Sequence, residues 1–483
     1  DEPLKTINLA FSISLANEQN KQVIFLDSGE YKSSTQGAYY PFTIPNYVCL
    51  QGLSKETVIL DAENKSQVIK IIDNPETALY ELTIKGGRSS GGYGDYYSGG
   101  GIHCEQSNLT LQKVNIINNY GFTGGGGISI RDSHVNIIGV LVDNNTSSNS
   151  WGGGIRCSDS QITIKESVVS NNHATSYGTG GGLRLTGGTG LLENVLISGN
   201  TAGSGGGIYC YGSNPTIINS AIVNNAGGYE GGGIYLSSSN PQIINTTISQ
   251  NQLQYSDKGG GIYCIDSDPT LINTIVWDND PNEIYCDYIG PPVPSIVTVS
   301  MSNIMGGEEG IAGPVAFVNW LEGNINADPL FTGTGKHPYS LSNESPCVNS
   351  GTPDTTGLNL PELDLAGNPR VYGGRIEMGA YENQEVIVKL DEIEGAGNNL
   401  DVVILPNPVQ SIVHFEYELS EPSDVILEIT DQQGHHIETL IACHQDKGKQ
   451  KVSWDASHFS SGIYFCRFQV GSKLITRKIV KVD

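Results

Sequence analysis

From Gly99 onward the apolar residues of this chain alternate with polar ones over stretches of four or five positions, and the whole pattern then starts again. A glycine triplet followed by an aliphatic residue recurs seven times, with that residue at Ile102, Ile128, Ile155, Leu183, Ile208, Ile234 and Ile262, 25 to 28 residues apart. The downstream segments align without gaps. One aliphatic column is Leu111, Ile137, Ile164, Leu192, Ile217, Ile243 and Leu271, and a second is Ile116, Val142, Val169, Ile197, Ile222, Ile248 and Val276. A third column is asparagine throughout: Asn119, Asn145, Asn172, Asn200, Asn225, Asn251 and Asn279. Alternation, β-branching and Gly/Asn punctuation predict strands, not helices.

A period of this length cannot close a sheet by itself, but one coil of a parallel β-helix solves the problem. Each strand pairs with its counterpart in the next coil at about 4.8 Å, and like residues stack on like. Aliphatic columns then fill the interior. An asparagine amide carries donor and acceptor together, tolerates left-handed turns and can bond the amide one rung above. The glycines mark a corner that needs positive φ or has no room for a side chain. A phosphate loop is excluded by context, because each triplet opens a strand and no helix follows.

Two residues beyond the corner, Cys104, Cys157, Cys210 and Cys264 occupy one inward column on alternate coils, with Ile130, Leu185 and Leu236 between them. Two rungs, about 9.6 Å, exceed the span of a disulfide, so these are expected as free core thiols. The residue in between points outward by alternation: His103, Ser129, Arg156, Arg184, Tyr209, Tyr235 and Tyr263. Loops before the triplets add Tyr93, Tyr96, Tyr97, Tyr120, Phe122, Trp151, Tyr177, Tyr229 and Tyr255.

Residues 99–280 resemble the repeats of polymorphic outer-membrane proteins and related right-handed parallel β-helices. Upstream, Thr6 to Asn64 resembles the opening of pectate-lyase-like helices, where a short helix near Ile7 to Ala16 would cap the first coil and protect its edge. Beyond Ile296 the period fades. Asp328-Pro329-Leu330-Phe331, Ser345-Pro346, Gly351, Asp364, Gly367-Asn368, Arg370 and Gly379-Ala380-Tyr381-Glu382 resemble the terminal segment of choice-of-anchor Q surface proteins. There Arg370 and Arg375 are expected to pair with Asp364, Glu377 or Glu382 and fix the last coils. The final stretch of short alternating strands reads as a small immunoglobulin-like β-sandwich. Its Pro406-Asn407-Pro408, Ser461-Gly462-Ile463-Tyr464 and basic Lys473, Arg477, Lys478 and Lys481 resemble the C-terminal sorting domain of the Bacteroidota type IX secretion system. That resemblance implies export through the periplasm to the cell surface or medium, with the secretion machinery as partner. Cys443 and Cys466 are the one pair in it for which a bridge is considered.

The expected organisation is all-β: 1–98 cap and first coils, 99–295 seven-repeat core, 296–383 last coils and terminal cap, 384–400 linker, 401–483 sorting sandwich. A formal charge of −25 repels a phosphate backbone and sets nucleic acid aside. No apolar run is long enough to span a membrane. Nine cysteines without a C-x-x-C pair suggest neither a zinc ribbon nor a complete disulfide framework. The start without methionine agrees with a mature exported chain.

Function is read from the outward column. Arg156, Arg184, Tyr209, Tyr235 and Tyr263, with Trp151 and Tyr177 beside them, would offer stacking faces and hydrogen-bond donors to a polysaccharide. A non-catalytic glycan-binding or adhesive surface protein is the leading reading. A polysaccharide lyase is the alternative, with Arg156 or Arg184 as base and Ca²⁺ as the cofactor that the pectate-lyase resemblance implies. Arginine holds its proton above pH 12, and no carboxylates cluster on one column, which weighs against catalysis. A structural or filament component is the third reading.

Overall fold

The structure, a computed structural model, describes residues 4–34, 39–90, 98–149, 151–288, 294–372, 374–384, 402–432, 434–471 and 473–482. It divides into two compact units, 1–385 and 386–483. Most of the linker read at 384–400 lies outside the described residues, as do Tyr93, Tyr96 and Tyr97.

The first unit is a right-handed parallel β-helix. Its faces are parallel sheets of 12, 11 and 11 strands, with a short fourth sheet of 6 along one corner. Each full coil contributes a strand to each of the three faces, and six coils add a fourth, as in Ile102–Glu105, Asn108–Gln112, Asn115–Ile117 and Tyr120–Gly121. The aliphatic columns stack in register: Leu111 on Ile137, Ile137 on Ile164, Ile116 on Val142, and so on along the axis. Nearly all of these side chains are sealed from solvent and form one continuous core. Helix Ile7–Ile13 lies over the first coil, shorter than the expected Ile7 to Ala16. Thr6 caps it by accepting from the Leu9 amide, and Ile7 and Ala10 are its buried side.

The asparagines form a buried amide ladder. Asn119 Nδ2 donates to Asn145 Oδ1 at 3.0 Å, and the step repeats through Asn172, Asn200, Asn225, Asn251 and Asn279 at 2.9–3.0 Å. In the next coil Pro281-Asn282-Glu283 stands where the glycine triplet would be, and Glu283 replaces the missing amide, taking Asn279 Nδ2 at 2.5 Å. Burial pushes the Glu283 carboxyl up to about 7. The folded state therefore holds this proton more tightly than the unfolded chain, whose glutamate titrates near 4.5. The resulting stabilisation is complete below that unfolded value and is lost as the pH rises through the folded one. Glu283→Gln removes the titration, so at pH 8 it is expected to stabilise by roughly 1–3 kcal/mol, with little change near pH 4.5, read from urea midpoints at the two pH values.

The coils end with strand Ala316–Trp320. Between it and residue 384 the described chain carries isolated bridges but adds no further strand. It instead doubles back as a strap across the outer face of strands Ala221–Val223, Thr247–Ser249 and Ile275–Trp277. Tyr339 Oη donates to Gln250 Oε1 at 2.7 Å, the Ala380 amide to Thr247 Oγ1 at 3.1 Å, and the Gly379 amide to the Asn273 carbonyl at 2.7 Å. Tyr339, Ala380 and Tyr381 pack on Ala221 and Val223, which is why small residues stand on that outer face. Arg370 is fully buried and faces Glu382 at 3.3 Å, while also donating to the Gly379 carbonyl. Burial and the neighbouring Glu382 push Glu377 up to about 8, and burial pushes Glu382 itself up to about 7. Arg375 donates to the carbonyls of Gly351 and Ser350 instead of a carboxylate. These contacts pin the strap to the side of the helix.

The second unit is a small antiparallel sandwich. One sheet holds Val402–Leu405, Ile412–Leu419 and Gly448–Asp455, the other His436–Gln445, Ser423–Asp431, Gly462–Val470 and Lys473–Lys481. Between them lie Phe415, Trp454 and Phe468. Cys443 and Cys466 are not bridged. They flank strand Ser423–Asp431 opposite Val425 and Ile429, offset by about 14 Å along it, far beyond disulfide reach.

Candidate functional site

The outward column occupies the sheet that begins each coil after the glycine corner, and the structure extends it with Lys70 upstream and Tyr285 downstream. Rung spacing brings neighbouring rings into contact. Tyr209 and Tyr235 stack at 4.6 Å, Tyr235 and Tyr263 meet at 5.2 Å, and Tyr263 and Tyr285 stack at 6.2 Å. Arg184 lies over Tyr209 at 5.5 Å and over Trp151 at 5.4 Å, and Arg156 lies over Trp151 at 5.6 Å. One cation–π and aromatic ladder thus runs from Arg156 to Tyr285.

Alternation directs these side chains away from the core, yet they do not form an open stripe. Arg156 is 7% exposed and Tyr263 4%, while Arg184, Tyr209 and Tyr235 are half-buried. Stacked rings cover one another, and the loops leading into the corners fold over them. Thr179 from one loop accepts from Arg184 Nε at 2.9 Å, and Lys258 from another reaches Asp287 at 2.7 Å, where Tyr263 Oη also donates at 3.0 Å. Burial pulls Arg184 below the ordinary arginine range and pushes Tyr209 above that of tyrosine.

A second aromatic row stands on the segments that lead into the corners, Tyr177 and Tyr255 in loops and Tyr229 in strand Ala226–Glu230. Tyr177 stacks on Tyr229 at 6.1 Å, and Tyr229 meets Tyr255 at 5.7 Å. Tyr177 is 81% exposed and Tyr255 68%. Beside them, along the short fourth sheet, runs a groove of about 160 Å³. Its floor is side-chain-poor, with Ala202, Ala226, Gly227 and Gly228, and its polar walls are His173, Ser176, Thr201, Gln254 and Tyr255. His173 Nδ1 is 2.7 Å from Thr201 Oγ1, and burial keeps its pKa below the usual 6.5, so the imidazole is neutral at pH 7. No lining residue then carries a formal charge.

The alignment of loops supplied Tyr177, Tyr229 and Tyr255, whereas the groove floor is formed by small residues of two coils that no repeat column singles out. Among the described residues no group of three or more His, Cys, Asp or Glu could hold a metal ion. Ca²⁺, as the lyase reading would require, thus finds no carboxylate cage among the described residues.

In the second unit the Pro406-Asn407-Pro408 segment is tied to the last strand. Asn407 Nδ2 donates to the Lys478 carbonyl and its Oδ1 accepts from the Val480 amide, both at 2.8 Å. Gly462 and Ile463 open the neighbouring strand, and Tyr464 Oη donates to the Ser460 carbonyl at 2.8 Å.

Residues 100–286 match the family described as right handed beta helix region, and residues 403–482 match the secretion system C-terminal sorting domain. No curated protein matches the chain. Among solved structures it is similar to the A-module of the Azotobacter vinelandii mannuronan C-5 epimerase AlgE6. That match has 16% identity over 64% of this chain and 92% of the other, with a TM-score of 0.25. It is also similar to the enzymatically active domain of tailspike protein 4 of bacteriophage CBA120, at 11% identity over 91% of this chain and 63% of the other, with a TM-score of 0.21. No helix among the described residues is long and apolar enough to cross a membrane.

Proposed function

We propose that this chain, a right-handed β-helix protein whose type IX C-terminal sorting domain sends it to the cell surface or the medium, binds an uncharged linear polysaccharide along its loop flank. The observation that carries the reading is the row of exposed tyrosines beside a charge-free groove with a glycine floor. Pyranose rings stack on tyrosine faces, and His173, Thr201 and Gln254 offer hydrogen bonds to hydroxyls. The groove crosses the coils of His173, Thr201, Ala226 and Gln254, about 14 Å of rung spacing, enough for a short run of sugars. A net charge of −25 disfavours polyanions. Arg184, which donates to Thr179, ties the segment that follows Tyr177 to the ladder of Arg156, Trp151, Tyr209, Tyr235 and Tyr263.

Affinity electrophoresis against neutral glucans and mannans and against alginate and pectate tests the reading. Tyr255→Ala and Tyr177→Ala are each expected to weaken neutral-glycan binding by roughly 2- to 10-fold. Preference for the acidic polymers, indifference to both substitutions, or release of unsaturated ends absorbing in the ultraviolet would each sink it.

A further inference from the structure

The inward cysteine column continues one coil beyond the last glycine triplet. In register it reads Cys104, Ile130, Cys157, Leu185, Cys210, Leu236, Cys264 and Cys286. The first cysteines are separated from one another by an aliphatic rung. Cys264 and Cys286 are not: they are direct register partners on adjacent parallel strands, both fully buried and both free thiols in the structure. Adjacent rungs stand about 4.8 Å apart, inside the 4.4–6.8 Å Cα range of disulfides, and closing the bond asks the Cβ atoms to approach by up to about 1 Å.

We propose that Cys264 and Cys286 are joined by a disulfide in the exported protein. The sorting domain routes the chain through an oxidising compartment, where such bonds form and persist. The bond closes as the coil of Cys286 stacks on that of Cys264, before both sulfurs are sealed. One thiolate attacks the disulfide of an enzyme-borne thiol oxidant, giving a mixed disulfide. The second then displaces the oxidant's sulfur, and two electrons and two protons leave on the oxidant as a dithiol. Its position has a structural logic. The coil of Cys286 has Pro281-Asn282-Glu283 in place of the glycine triplet, and the asparagine ladder ends against it at Glu283. A covalent rung therefore stands where both repeating devices stop.

The test uses full-length protein recovered from the surface or medium of an exporting bacterium. Thiols are alkylated in denaturant without reductant, and the digest is analysed by mass spectrometry. The expected result is a cross-linked peptide pair containing Cys264 and Cys286, with Cys104, Cys157 and Cys210 alkylated. Reductant should lower the urea midpoint of the wild type and leave that of Cys286→Ala unmoved. Quantitative alkylation of Cys264 and Cys286, or a bond from either to a different cysteine, overturns the proposal. Should Cys286→Ala not fold, the wild-type peptide map decides alone.

Discussion

Asn172→Ala is expected to destabilise the β-helix by about 4–6 kcal/mol, enough to unfold its central coils at modest urea. Asn172 is sealed from solvent and its side chain takes part in four hydrogen bonds. It donates to Asn200 Oδ1 at 3.0 Å and to the Val142 carbonyl at 2.9 Å, and it accepts from both the amide and Nδ2 of Asn145 at 3.0 Å. Alanine leaves two donors and a carbonyl unsatisfied in a dry interior, each costing about 1–3 kcal/mol. Aspartate is no rescue, because it can still accept from Asn145 but has no proton for Asn200 at neutral pH. Urea unfolding followed by circular dichroism reads the loss. The exposed neighbour supplies the control: Asn171 sits at φ +52 outside the ladder, so Asn171→Ala is expected to cost only about 1–2 kcal/mol of left-handed strain. Equal losses at the two positions would mean that the amide stack does not carry the stability of the coil.

That contrast also marks where the sequence was readable. The columns Leu111, Ile116 and Asn119 were legible because in-register stacking forces one chemistry on each position, and the strand pairing follows them residue for residue. Left-handed backbone was read onto the ladder asparagine, but it belongs to the residue before: Asn118, Asn144, Asn171, Gly199, Asn224, Gln250 and Asp278 all have positive φ. Both positions favour asparagine for different reasons, and composition alone does not separate them. The coil of Tyr285 and Cys286 was missed because its triplet is gone, although "EIYCD" repeats the "GIYCI" of the coil before. Alternation correctly sent Arg156 and Tyr263 away from the core. It could not reveal that the loops return over them, because the fold-back depends on contacts such as Thr179 to Arg184 between positions five residues apart in an irregular segment. The strap was opaque for a similar reason. Its contacts join residues far apart in the chain, Asn245 with Glu377 across 132 positions and Tyr339 with Gln250 across 89, and follow no repeat.

Gly206→Ala, the addition of one methyl group, is expected to cost about 3 kcal/mol or more and to open the solenoid locally. A Cβ there would meet the carbonyl oxygens of Ala226 and Gly232 at 2.5 Å, and both are backbone atoms of the next coil that cannot turn aside. Relief would require the coils to part, and the Gly206 amide bond to the Gly231 carbonyl, now 3.0 Å, would lengthen with them. The stack of Tyr209 on Tyr235 bridges the same two coils and would loosen, as would the groove floor at Ala226 and Gly227. Gly212→Ala isolates the other glycine effect. It has positive φ but nothing within 4 Å of its Cβ, so only left-handed strain of about 1–2 kcal/mol is expected. Urea midpoints of the two variants, with limited proteolysis mapped near residue 206, measure the difference. If Gly206→Ala is no worse than Gly212→Ala, the corner is held open by backbone preference and not by the close approach of successive coils. In the expected outcome the second glycine of each triplet sets how tightly the coils pack, and through that spacing whether the tyrosine rows on both faces can touch.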